Sequence, residues 1–187
     1  NNQIFYFFHM IFTYINKMTE ILKKEQELFN LLKLIDISFK TYRHEALYTV
    51  EDSQKFRGDI PGTHCKTLFL KDKKNRFWLV VVSEDCMINL NSLAKKIEAG
   101  RLSFCSSDIM IKILNVEPGS VTPFAIISDD ARDVNIILDK KMLESNKLNY
   151  HPLHNQATTT INSNDLIKFI SHFGNTFKIM EIPQKYL

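Results

Sequence analysis

The sequence predicts an α+β fold, a mixed β-sheet wrapped by helices, on three observations. Two pairs of β-branched and aromatic runs, within 67–82 and 124–138, are each divided by a polar, turn-forming segment and read as neighbouring strands. Segments with helical apolar spacing fall between and around these runs in irregular order, which argues against a doubly wound parallel sheet. The composition, 44% hydrophobic and 24% charged over 187 residues with five glycines and five prolines, belongs to one ordered domain with a sizeable core.

The elements follow in chain order. The apolar run Ile4–Ile15 is shorter than the roughly 20 residues a bilayer span needs, and it lacks the basic start and small-residue cleavage site of a signal peptide. Residues 1–17 are therefore expected to be a non-native or disordered extension, with Met18 opening a single domain over 18–187; an interfacial anchor is the sharper alternative. Ile21, Leu28, Leu32 and Ile35 recur at helical spacing among Lys23, Lys24, Glu25 and Glu27, which makes an amphipathic helix. Thr49-Val50-Glu51-Asp52 has the spacing of a helix N-cap, so a short second helix is expected there. Thr67–Lys71 and Arg76–Val82 flank a polar turn and form a hairpin.

Leu90, Leu93, Ala94 and Ile97 satisfy the i, i+3, i+4, i+7 rule, with Gly100 as the stop. Ser106 or Ser107 can cap a further helix that turns Met110, Ile113 and Leu114 inward. Phe124–Ile127 and Val134–Leu138 are expected to be adjacent strands around a charged loop, and Thr158–Ile161 another strand. Ser163 caps a last helix that buries Leu166, Ile167, Phe169, Ile170 and Phe173 and ends at Gly174, before a final strand near Lys178–Ile182.

The signatures of several enzyme classes are missing. Without a Walker A loop, Gly-x-Gly-x-x-Gly, His-Glu-x-x-His or Gly-x-Ser-x-Gly, the usual support for nucleotide hydrolysis, dinucleotide redox chemistry, zincin proteolysis and α/β-hydrolase chemistry is lacking. A net charge of +3, from 24 basic and 21 acidic residues, is too small to signal nucleic-acid binding by itself. Cys65, Cys86 and Cys105 give neither a disulfide framework nor a zinc pattern and fit a reducing cytosol. His151 and His154 stand at helical spacing, but Pro152 between them argues against a metal-binding helix face, and no metal or cofactor is expected.

Three segments stand out. In Gly62–Lys71 a turn leads into a strand with Lys66 at its mouth, where the plainer reading is a solvated strand-end lysine. In Val116-Glu117-Pro118-Gly119-Ser120-Val121-Thr122-Pro123 two prolines stiffen a loop that can turn backbone N–H groups toward a ligand oxygen; a rigid connector is its plainer reading. Tyr150–Thr159 is dense in hydrogen-bonding side chains and serves equally as a satisfied loop. Cys65 beside Lys66 falls on the opposite strand face and has no activating partner in sequence, which argues against a thiol nucleophile.

In this order and spacing, the segments resemble the YbaK-like family of aminoacyl-tRNA editing domains, in particular the freestanding relatives of the prolyl-tRNA synthetase editing insertion, the Ala-tRNA(Pro) deacylases and PrdX-like proteins. The resemblance runs through Tyr48–Glu51, Thr63–Asp72, Leu102–Phe104, Pro118–Phe124 and His151-Pro152-Leu153 with Asn155 and Thr158, and Gly119-Ser120-Val121-Thr122-Pro123 looks like the family's Gly-x-x-x-Pro element. It implies a mixed-sheet pseudo-barrel surrounded by helices. It also implies hydrolysis of the ester joining a wrongly attached amino acid, most simply alanine on tRNA(Pro), to the terminal adenosine, without a metal.

On this resemblance Lys66 is the family's essential lysine, Gly119 supplies the backbone N–H that polarises the carbonyl, and His151 orients substrate or water. Thr67, Ser120, Val121, Thr122, Pro123 and Asn155 line the substrate site, and Lys71 and Arg76 meet tRNA phosphates within a basic cluster that includes Lys73 and Lys74. Two departures stand out: Thr67 where the family has Asn, and Asn115 where a Gly precedes the Val-x-Pro-Gly run. The expected partners are the acceptor end of a tRNA and prolyl-tRNA synthetase. A non-catalytic module that binds aminoacyl-tRNA or a synthetase is the alternative.

Overall fold

The computed structural model describes residues 2–45 and 60–185. Helix α1 (Asn2–Leu34) leads into strand β1 (Phe39–Arg43), and β2 (Thr63–Lys71) and β3 (Phe77–Ser83) form the hairpin expected from sequence. Helix α2 (Leu90–Lys96), strand β4 (Ser103–Phe104) and helix α3 (Ser107–Leu114) follow, and then β5 (Asn135–Asp139), β6 (Lys147–Tyr150), β7 (Ala157–Asn162), helix α4 (Ser163–Phe173) and β8 (Phe177–Met180). The sheet runs β1-β7-β6-β2-β3-β5-β8, with β4 paired to the end of β2. Parallel pairings β6–β2, β3–β5 and β5–β8 alternate with antiparallel ones, so the sheet is mixed.

Each face of this sheet buries its own apolar cluster. Phe69, Leu79, Val81, Ile136, Leu138, Leu148, Tyr150 and Ile161 pack on one side against Leu28 and Leu32 of α1, Leu114 of α3, Phe124, and Leu166, Phe169 and Ile170 of α4. Leu70, Trp78, Val80, Val82 and Ile137 pack on the other against Leu93, Ala94 and Ile97 of α2. Strands buried on both faces read as continuous apolar runs, as Leu79–Val82 does.

Several expectations need correction. Pro123–Ile127 is a short 3-10 helix and not a strand, because Pro123 starts it and Thr122 Oγ1 accepts the Phe124 amide at 3.4 Å. Phe124, Ala125 and Ile126 are all buried, a pattern that period alone cannot separate from a strand. The second hairpin is instead β6–β7, and β5 pairs in parallel with β3 and β8. Helix α2 ends at Lys96 with Ile97 as its C-cap, and Glu98 takes φ +55 two residues before Gly100. Ser106 holds the N-cap position of α3 but makes no side-chain cap bond. Residues 2–17 are the helical start of α1, where a disordered extension was one expectation, and Tyr6, Phe8, Phe12 and Tyr14 there are each more than 60% exposed. The helix expected at Thr49 and the matching segment Tyr48–Glu51 lie outside the described residues. Among the described residues no helix is long and apolar enough to cross a membrane.

Candidate active site

Strand β2 changes partner part-way along. Thr63 and His64 pair in parallel with Leu148 and Asn149, whereas Cys65–Lys71 pair antiparallel with Phe77–Ser83. Strand alternation then places His64, Lys66, Leu68 and Leu70 on one face and Cys65, Thr67 and Phe69 on the other. Helix α2 covers the Leu70 end of the first face. Over β6 and β7 the same face is polar: Asn149, Thr158 and Thr160 are buried there, and Thr160 Oγ1 donates to Asn149 Oδ1. Lys66 thus stands where an apolar half-face gives way to a polar one.

Histidines gather at that polar half. His44 Nδ1 donates to the Glu45 carbonyl at 2.7 Å, and its Nε2 is hydrogen-bonded to the Thr158 hydroxyl at 3.0 Å. His151 donates from Nδ1 to the Ala157 carbonyl at 3.3 Å. Burial lowers the His151 pKa from its ordinary value, and the nearby imidazoles of His44, His154 and His64 push the same way, outweighing the opposite pull of the Ala157 carbonyl. Its ring is therefore neutral at pH 7, with the Nε2 lone pair available. His44, His64, Asn149 and Thr160 were not singled out from sequence; the available signal was the alternation of polar side chains along β7, which Thr159 masks by sending a third threonine to the core face, where it meets Thr41 at 2.9 Å.

The proline-bounded loop forms a tight turn. Ser120 donates its N–H to the Glu117 carbonyl at 3.0 Å across Pro118 and Gly119, and Gly119 takes φ +84, the combination that favours Pro and then Gly at the two central positions. A Cβ on Gly119 would lie 3.9 Å from Asn155 Nδ2, so this turn and the loop after β6 are neighbours. Among the described residues nothing accepts the Gly119 N–H, and the residue is exposed. Ser120, Thr122 and Pro123 are buried, Val121 packs against the main core, and the four fix the turn from behind. Ser120 and Asn155 also line a pocket of about 110 Å³ beneath the loops.

Lys66 lines a cleft of about 500 Å³ with Leu68, Cys86, Arg101, Phe104 and Lys185. No carboxylate lies within ion-pair distance of it among the described residues. Thr67 points to the opposite face of β2 and does not share that cleft. Lys71 ends β2 half-buried opposite Phe77. Arg76 is committed elsewhere: its Nε and an Nη meet the buried Asp72 carboxylate at 2.8 and 2.7 Å, another bond reaches the Glu98 carbonyl at 3.0 Å, and the guanidinium lies over Trp78. Cys65 has its thiol pushed up to about 12 by burial, and its Sγ donates to the Thr63 carbonyl. Among the described residues no group of three or more His, Cys, Asp or Glu is placed to hold a metal.

The Gly119 turn and the loop of His151 adjoin through Asn155 and offer an ester-bearing ligand an open backbone N–H and a neutral imidazole, whereas Lys66 lines a cleft that Gly119, His151 and Asn155 do not border. Residues 44–169 match the aminoacyl-tRNA editing domain family. Prolyl-tRNA editing protein ProX of Acetoanaerobium sticklandii is 34% identical over 149 residues, 79% of this chain and 91% of that protein. Prolyl-tRNA synthetase associated domain-containing protein 1 of Bos taurus is 37% identical over 149 residues, 77% of this chain and 86% of that one. A solved structure of a candidate trans-editing enzyme for prolyl-tRNA synthetase superposes with a TM-score of 0.68 at 14% identity, covering 87% of this chain and 98% of the other, a likeness of fold.

Proposed function

Since the chain belongs to the aminoacyl-tRNA editing domain family, we propose that it is a trans-editing deacylase that hydrolyses the ester of a mischarged tRNA, with Ala-tRNA(Pro) as its substrate. The observation that carries this reading is the Gly119 turn, an exposed N–H held by a left-handed backbone beside the loop of His151 and Asn155. Attack of water on the ester carbonyl builds negative charge on its oxygen, and a donor already in place stabilises that charge more than it stabilises the neutral ester. When the tetrahedral intermediate collapses, the ribose oxygen leaves and takes a proton, freeing amino acid and tRNA.

Lys66 supplies a cation for the terminal phosphate or the ester end, and His151 Nε2 accepts a hydrogen bond from the attacking water or the neighbouring ribose hydroxyl. Ser120, Val121, Thr122 and Pro123 hold the turn, and Asn155 borders it. Thr67, on the far face of β2, supports the strand. Lys71 meets acceptor-end phosphate, whereas the bonds of Arg76 to Asp72 assign it to the hairpin. The name of the Bos taurus relative supports prolyl-tRNA synthetase as a partner, and the three free cysteines suit action in a reducing cytoplasm.

The test is deacylation by the full chain of tRNA(Pro) charged with alanine, beside Ser- and Cys-charged tRNA. Loss of the Ala ester, abolished by Lys66→Ala, is expected. Intact esters on all three at micromolar protein overturn the reading, and tight binding without turnover would establish the non-catalytic module.

A further inference from the structure

Helix α1 precedes the residues that match the editing family, yet three of its side chains grip both loops of the site. Glu25, only 3% exposed, accepts the Nε2–H of His154 at 2.9 Å and two N–H groups of Arg43 at 2.7 and 2.6 Å. The Gln156 amide donates to His154 Nδ1 at 3.1 Å, so the single ring proton lies on Nε2 and faces the carboxylate. Glu25 therefore sets both the tautomer and the orientation of a ring inside the loop that carries His151 and Asn155. Burial would raise the Glu25 pKa, but the bonds from His154 and Arg43 outweigh it and hold the carboxyl ionised.

The same helix holds the other loop. Lys24 Nζ donates to Asn115 Oδ1 at 2.8 Å and to the Asn115 carbonyl at 3.4 Å. Asn115 ends α3 in the left-handed conformation, φ +53, four residues before Gly119. Lys17 pairs with Glu117 at 2.8 Å, inside the turn itself. Between these contacts lies the 110 Å³ pocket bordered by Ile21, Lys24, Ser120, His154 and Asn155.

On the deacylase reading above, we infer that α1 is a positioning element for the reaction: Glu25 acts through His154 on the loop of His151, and Lys24 acts through Asn115 on the turn of Gly119. Neither side chain touches the ester. What they set is the relation of one loop to the other, on which the placing of water, carbonyl and N–H depends. The Asn115 departure from the family's Gly acquires a use here, since its side chain gives Lys24 an acceptor that glycine lacks.

The experiment compares kcat and KM for Ala-tRNA(Pro) deacylation by the full chain and by Glu25→Ala, Glu25→Gln, His154→Ala, the Glu25→Ala/His154→Ala double variant and Lys24→Met, each checked for native circular dichroism at the assay temperature. Glu25→Ala and His154→Ala are expected to lower kcat about tenfold with KM within about twofold, and the double variant no further, because both break one link. Glu25→Gln keeps a carbonyl for the His154 proton and is expected to recover kcat to within about threefold of wild type, while Lys24→Met loses about threefold. Folded Glu25→Ala with wild-type kcat overturns the inference, as does a loss confined to KM or a double variant as low as the product of the singles. Should Glu25→Ala not fold, His154→Ala and Lys24→Met decide by the same kcat criterion. A wild-type chain that leaves every ester intact overturns the deacylase reading and this one together, whereas normal wild-type turnover with unaffected variants overturns this one alone.

Discussion

His151 donates its Nδ1 proton to the Ala157 carbonyl at 3.3 Å, across the loop that joins β6 to β7. That bond leaves Nε2 as the acceptor, and burial lowers the ring's pKa beneath the ordinary 6.5. Deacylation should therefore be independent of His151 titration at neutral pH and fall in acid, with its midpoint below 6.5; a pH–rate profile of wild type against His151→Ala, which should lose this limb, measures it. The sign for stability is the same. A histidine with a depressed folded pKa contributes stability that is complete above the unfolded value and is lost as pH falls through the folded one.

Gly119→Ala separates strain from contact. The added Cβ meets nothing closer than Asn155 Nδ2 at 3.9 Å, so the cost is the left-handed backbone alone, about 1–2 kcal/mol. If the turn relaxes toward negative φ, the N–H turns away from the carbonyl, and kcat should fall by about 10²-fold, the scale of losing one oxyanion donor. Single-turnover kinetics and a melting curve on the same preparation read both.

Lys71→Ala and Arg76→Ala should differ in kind. Removing Arg76 strands the Asp72 carboxylate in the hairpin and is expected to cost about 3 kcal/mol of stability with tRNA affinity unchanged. Removing Lys71 should leave the melting temperature within a degree or two and weaken tRNA binding, with a shallower salt dependence. Burial would raise the Asp72 pKa, but bonds from Arg76, Lys74 and Gly100 outweigh it and hold the carboxyl low. Its contribution is present above about pH 4 and should be lost in acid as pH falls through the lower folded value.

Cys65, with its thiol near 12, should resist iodoacetamide at pH 8 in the native protein and react after unfolding. Cys65→Ser is expected to keep deacylation within about threefold, by the same assay.

The parts legible in the sequence share a cause. The β2–β3 hairpin, α2 and α4 carry local patterns: alternation around a polar turn, apolar residues at helical spacing, and Gly174 at φ +73 closing α4. Strand β6 was not legible, because Lys147-Leu148-Asn149-Tyr150 is a four-residue strand wedged between its hairpin partner β7 and the distant β2, and it buries the polar Asn149. Lys66 and Gly119 showed through as motif positions. Their setting did not, since Glu25 and His154 are 129 residues apart and only the folded chain brings them together.

The splice in β2, parallel to β6 at Thr63 and His64 and antiparallel to β3 from Cys65 onward, has a consequence for synthesis. The hairpin can close as soon as residue 83 leaves the ribosome, but the β6 ladder waits for residues 148 and 149, and His151 for the Ala157 carbonyl. Closing so distant a pair is slow relative to a hairpin. A nascent chain, or one cut short before β6, therefore presents Lys66 on a closed hairpin without β6 or His151, and the site is assembled late in translation.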